Sequence, residues 1–242
     1  MNLKEALQYL VGLKDNKTYE IDGRLYSDND LCLIEAPRYY RNKLEFGSLD
    51  GLVKMIREEL PDYAKAGCLP VFVQVKDHLT VEVFTRPDDH ERRLWPYTAK
   101  CTEANFREGW RGQQEAIIEV KSRFLPTPDT DYLLSLISRI NADSGVKSVD
   151  NGVSQTVTVK KGVSLLENET VKPRLSLSPF RTFREVSQPT SEFILRLDDE
   201  GRVGLFEADG GVWKIEAKVN ISAYLAANLY EEVGAGKVVV MI

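Results

Sequence analysis

The sequence predicts an α+β protein of mostly antiparallel sheet, with about five helices and a second half richer in strand than the first. Three observations predict it. Up to Ile140, segments with apolar residues every three or four positions are interleaved with segments that alternate apolar and polar residues. After Gly145 the chain breaks into short β-rich runs separated by Gly, Pro, Asn and Asp. No Pro, Gly or Ser tract demands a linker, so the expected organisation is an amino-terminal α+β lobe over 1–125 and a β-rich lobe over 126–242, or one continuous domain.

Residues 2–13 read as an amphipathic helix, with Asn2 as N-cap, Glu5 three residues on, and Leu3, Leu7, Leu10 and Val11 on one stripe. "TYEIDGRLYSDNDLCLIEAPR" then reads as strands punctuated by Asp-Gly and Ser-Asp-Asn-Asp turns. In "FGSLDGLVKMIREELP" Ser48 caps a helix, Asp50 suits the positive end of its dipole, Leu49, Leu52, Val53, Ile56 and Leu60 form its apolar face, and Pro61 is expected to stop it. "LPVFVQV" and "LTVEVFTR" read as a strand pair around Lys76-Asp77-His78, and "RRLWPYTAKC" adds a third strand.

"RGQQEAIIEVKSRF" suits either element; the stripe Ile117, Val120, Phe124 favours helix. "TPDTDYLLSLISRINADSG" is a helix with an expected Asp cap and an apolar face at Leu133, Leu136, Ile137 and Ile140. Strands follow in "GVSQTVTVKKGV", "KPRLSLSPF", "SEFILRL" and "RVGLFEADGGVWKIEAKV", then a helix capped by Asn220, and "GKVVVMI" as a closing strand. Within the fourth of these, Asp209-Gly210-Gly211 is expected to turn a hairpin. Phe206, Ala208, Trp213, Ile215 and Ala217 then face inward, and Glu207, Lys214, Glu216 and Lys218 face solvent.

The bulk numbers limit the function. With 43% hydrophobic and 29% charged residues over 242 positions, the chain has a globular composition. A net charge of -5, evenly spread, offers no general attraction to nucleic acid or an anionic membrane. No apolar run reaches the roughly 18–20 residues of a membrane span, and the start resembles no signal peptide, so a cytoplasmic protein is expected. Cys32, Cys68 and Cys101 form no CxxC and suit a reducing compartment without structural zinc.

Catalytic signatures are missing: there is no GxSxG, SxxK, GxxxxGK[ST] or GxGxxG. His78 and His90 both sit beside turn residues, and Asp88-Asp89-His90 reads as a solvated loop in preference to a metal site. No catalytic residue, metal ligand or cofactor is therefore assigned. The remaining constellation is basic and aromatic: Phe180, Arg181, Phe183 and Arg184 in "SPFRTFREVSQP", with Arg92, Arg93 and Trp95 in "RPDDHERRLWPY". Arginines on phosphates and rings on bases hold single-stranded nucleic acid. A strand with Phe inside and Arg outside gives the same spacing, and the acidic whole favours it; an oligomer interface is a third use.

"QQEAIIEVKSRF", "DNGVSQTVTVKKGV", "LSPFRTFREVSQPTSEFILRL" and "LFEADGGVWKIEA" together resemble the YfdQ-like group of uncharacterised phage and prophage proteins, in its Gram-positive form. The resemblance covers about Asn105 to Ala217 and implies a phage-encoded protein made in the infected or lysogenic cell; it implies no catalytic residue. The expected function is binding or self-assembly without catalysis, as a homo-oligomer or with a host or phage protein. A nucleic-acid accessory of phage replication or recombination and a metal-dependent enzyme built on His90 or Glu207 are the alternatives.

Overall fold

A computed structural model describes residues 18–22, 24–27, 43–86, 94, 96–102, 106–140, 149–150, 155–161 and 165–242. The chain divides after Asn42 into two compact units. Of the first, the described part is a hairpin of β1 (Thr18–Ile21) and β2 (Arg24–Ser27). Ile21 lies opposite Arg24, leaving a two-residue connection that begins with Asp22 at φ 53°, as the Asp-Gly signal predicts. The helix expected over 2–13 lies outside the described residues.

The second unit, Lys43–Ile242, is α+β, as expected. It opens with β3 (Leu44–Phe46) and helix α1 (Leu49–Lys65). Ser48 caps α1 by accepting from Gly51 N, and all five expected face residues are buried. Pro61 does not end the helix; it lies inside it on the exposed side. The stop comes from Gly67, whose φ of +68° lets Cys68 N donate to Tyr63 O and Gly67 N to Ala64 O.

Strands β4 (Val71–Asp77), β5 (Thr80–Phe84) and β6 (Tyr97–Lys100) follow as an antiparallel meander. Then come β7 (Gly109–Arg111), α2 (Gln113–Arg123) and α3 (Pro128–Arg139). The α3 cap is Thr127, which accepts from Thr130 N, and not an Asp; Asp129 instead accepts from Ser176 N and pairs with Lys172. Strands β8 (Val149–Asp150), β9 (Gln155–Lys161), β10 (Leu165–Val171), β11 (Arg174–Leu177), β12 (Ser191–Leu197) and β13 (Val203–Glu207) supply the β-rich part. Helices α4 (Trp213–Asn228) and α5 (Tyr230–Gly234) and strand β14 (Val238–Met241) complete it.

Two sheets organise this unit. One is mixed, in the order β14-β4-β5-β6-β3, with parallel pairs at both edges; the other is antiparallel, in the order β11-β12-β13-β7. A three-stranded sheet, β10-β9-β8, is joined to β12 by the buried Gln155, whose amide exchanges hydrogen bonds with the backbone of Leu197. The mixed sheet packs with α1 and α4 around Leu49, Val73, Val83, Ile221 and Leu225; α2 and α3 cover the antiparallel sheet around Val120, Leu136, Leu175 and Leu195. Each core takes residues from both sides of Leu125. Among the described residues no helix is long and apolar enough to cross a membrane.

The largest departure from expectation falls at 206–219. Instead of a hairpin, β13 runs into a turn and then into α4, so the helix begins at Trp213 and Asn220 lies in its interior. Gly210 and Gly211 both take positive φ, +64° and +83°, and Asp209 closes the turn by accepting from Gly211 N at 3.0 Å and Trp213 N at 3.3 Å. Two periodicities compete in "WKIEAKVN". Its apolar residues alternate, but Trp213, Ala217, Ile221 and Leu225 recur every fourth position and all four are buried. Ile215 and Val219 are left exposed.

Candidate functional site

The turn between β13 and α4 forms one wall of an open cleft of about 360 Å³, lined by His78, Phe106, Arg107, Arg181, Trp213 and Lys214, with Leu79, Glu108 and Glu207. Four segments distant in sequence meet there, and each arrives for a local reason. His78 sits at the tip of the β4–β5 hairpin, where Asp77 Oδ1 accepts from Leu79 N at 2.7 Å and tightens the turn. Glu207 ends β13. Val203 and Leu205 of that strand point into the core, so the two-residue repeat puts Glu207 on the inner face, not the solvent face expected.

Arg181 comes from the irregular segment 180–190 and is only 3% exposed. Its Nη1 donates to Glu207 Oε1 at 2.7 Å; its Nη2 donates to Ser191 Oγ at 2.7 Å and Pro189 O at 3.3 Å. The guanidinium lies 3.9 Å from the centre of the Trp213 ring, and Trp213 Nε1 donates to Glu207 Oε2 at 3.0 Å. Arginine, carboxylate and indole thus close a ring of contacts joining three elements. Burial draws the Arg181 pKa below its usual value, and the hydrogen bond and charge of Glu207 oppose that shift. Arg181 Nε is buried with no hydrogen-bond partner among the described residues.

The His78 ring packs edge-on against Trp213, with centroids 4.8 Å apart. Burial pushes its pKa down; Asp77 pulls the other way, while Lys214 and Arg181 add to the depression. Lys214 reaches back over Trp213, 5.6 Å from the ring centre.

Segment 180–190 fastens the cleft to the rest of the unit. Gln188 accepts from Arg181 N and Thr182 N and donates to Phe183 O and Val186 O, which ties the segment into a knot of backbone bonds. Thr182 Oγ1 donates to His78 O at 2.6 Å, Glu185 accepts from Leu49 N at the start of α1, and Asn220 of α4 donates to Ser187 O. Phe183 and Val186 enter the core beneath the mixed sheet, while Leu177 and Phe193 on either side belong to the core under α2 and α3.

The basic and aromatic residues singled out from the sequence are therefore not one surface. Arg181 is buried in an ion pair and Phe183 is in the core. Phe180 is half-buried under the exposed Arg184, whose guanidinium lies 5.0 Å from its ring centre. The alternative pattern, a strand with Phe inside and Arg outside, fails as well, because the segment is no strand and Arg181 faces in. Arg92, Arg93 and Trp95, like His90, lie outside the described residues. Sequence reasoning missed the roles of His78, Trp213 and Lys214; the one local signal for Glu207 was the inward parity of Val203 and Leu205.

Among the described residues no three His, Cys, Asp or Glu side chains come together to hold a metal ion. A second open cleft, of about 470 Å³, lies between α1 and α5 and is bridged by Arg57 Nε to Glu232 at 2.9 Å. It contains no comparably buried cation. No family model, curated protein or solved structure matches the chain.

Proposed function

We propose that this chain is a phage-encoded protein that works by binding or self-assembly, without catalysis, and that the cleft at the β13–α4 turn is where it binds. The phage origin rests on the resemblance of residues 105–217. The binding reading rests on one observation: both oxygens of Glu207 are held, one by Arg181 and the other by the Trp213 indole. A carboxylate fixed in this way is a wall of the cleft and a poor general base, since proton abstraction would have to compete with two hydrogen bonds, one of them charge-assisted. Preorganised walls of this kind suit recognition, because little side-chain freedom is left to lose when a ligand arrives.

The test is co-purification from phage-infected cells, comparing wild type with Lys214→Glu, an exposed substitution at the rim. Light scattering, native mass spectrometry and nucleic-acid staining report assembly, ligand and nucleic acid together. A component bound by wild type and lost in the variant supports the reading. Substrate turnover by wild type that disappears in both Glu207→Gln and His78→Gln, with folding intact, would sink it.

A further inference from the structure

The geometry points to a small anion, a carboxylate or phosphate group, as the ligand of this cleft; the assignment rests on the binding reading above. Hydrogen-bonding capacity decides the sign. On the acceptor side each oxygen of Glu207 already takes a hydrogen bond, from Arg181 and Trp213, and each oxygen of Asp209 beside it takes one, from the backbone N–H groups of Gly211 and Trp213. Among the described residues Glu108 is the one other carboxylate of the lining.

Donor capacity is in surplus. Arg181, with its side chain 4% exposed, retains an Nε–H that no atom of the described residues accepts. A buried N–H without a partner carries a desolvation penalty, and an anion held against the guanidinium offsets it. Lys214 has its ammonium over an aromatic ring, and Arg107 is exposed at the rim; neither makes an ion pair among the described residues. Among the described residues the lining itself holds Arg107, Arg181 and Lys214 against Glu108 and Glu207, with Asp77, Asp209 and Glu216 standing behind it within electrostatic reach of His78 or Arg181. Oxyanions accept several charge-assisted bonds at once, which matches donors that converge from separate elements.

Size and net charge narrow the class further. About 360 Å³ lies at the small end of ligand pockets. A nucleic-acid strand needs a positive field along an extended surface, and a chain of net charge -5 supplies the reverse. A discrete anion that fits inside the cleft needs only the donors that line it. Trp213 is a poor stacking platform for a base, since the residue is buried and Arg181 lies over its ring.

The experiment follows the Trp213 indole N–H by NMR, assigned by its loss in Trp213→Phe, at constant ionic strength in sodium chloride. Inorganic phosphate, succinate, tetramethylammonium and ethylene glycol are titrated separately. The expected result is a saturable shift with phosphate or succinate, weakened about tenfold by Lys214→Gln and further by the double variant Lys214→Gln with Arg107→Gln, as loss of a charge-assisted contact implies. The phosphate and succinate arms distinguish the two oxyanions. A linear shift, or one unchanged in the double variant, is a bulk salt effect and overturns the assignment. A saturable shift with tetramethylammonium or ethylene glycol alone overturns the anion and leaves a binding cleft standing. Silence of all four probes on the folded wild type also overturns the anion, and the co-purification result then judges the binding reading by itself.

Discussion

Among the described residues are two largely buried arginine–glutamate pairs, Arg181–Glu207 at the cleft and Arg111–Glu119 beside α2, and they are built in opposite senses. At the cleft the more deeply buried group is the cation: the Arg181 side chain is 4% exposed and that of Glu207 18%. Beside α2 the carboxylate is the deeper group, with Glu119 at 9% and Arg111 at 13%, and Arg123 stands 3.5 Å from it as a second cation. Burial therefore pulls the Arg181 pKa down and pushes the Glu119 pKa up, in each case against its partner. The two-cation arrangement has a spare partner and needs no ligand. At the cleft one cation meets one carboxylate, with a donor left over, and that pair is the one that opens to solvent.

The difference predicts unequal sensitivity. Arg181→Met strands Glu207 and Ser191 and should cost about 3–5 kcal/mol in urea unfolding, with part recovered in the double variant Arg181→Met with Glu207→Leu. Arg111→Met leaves Arg123 to hold Glu119 and should cost less, about 1.5–3 kcal/mol. Equal losses would show that the spare cation contributes nothing. Asp209→Ala removes the two bonds that close the turn before α4 and should cost about 1 kcal/mol, with the start of α4 losing hydrogen-exchange protection first.

The smallest effects are in pH dependence, and they have opposite signs. His78 is held below its usual value, so its contribution is complete above about pH 6.5 and is lost as pH falls through the folded value; His78→Gln should flatten that acidic decline. Glu119 is held above its usual value, so its contribution is complete below about pH 4.3 and is lost as pH rises through the folded value. Glu119→Gln should therefore retain relatively more stability on the neutral side. Urea midpoints measured on both variants from about pH 4 to 8 check the two signs together.

Elements whose cause is local were legible in the sequence. The Ser48 cap and the apolar stripe of α1, the β4–β5 hairpin and the α3 face at Leu133, Leu136, Ile137 and Ile140 all stand where periodicity and capping put them. Failures arose where two local signals fit equally well. Trp213-Lys214-Ile215-Glu216-Ala217 alternates like a strand and repeats like a helix, and the choice is made by the turn that Asp209 and the two glycines close. The cleft was the least legible part. Arg181 is buried because Glu207, Ser191 and Trp213, from β13, β12 and α4, converge on it, and no window around "FRTFRE" contains those partners. The segment's polar letters suggested a surface; in the structure Arg181, Thr182 and Glu185 each bind another part of the same unit, and Gln188 ties the segment to itself.

The parallel pairing of β14 with β4 has a consequence for synthesis. Val238 lies beside Val71 and Met241 beside Gln74, so β4 waits for a strand made long after it. While a ribosome is still extending the chain, Val71, Val73 and Val75 stand in a sheet whose edge is open and whose α4 cover has not yet emerged. Completion of this core thus waits for β14, and the nascent chain is most exposed to aggregation in the interval before that strand docks.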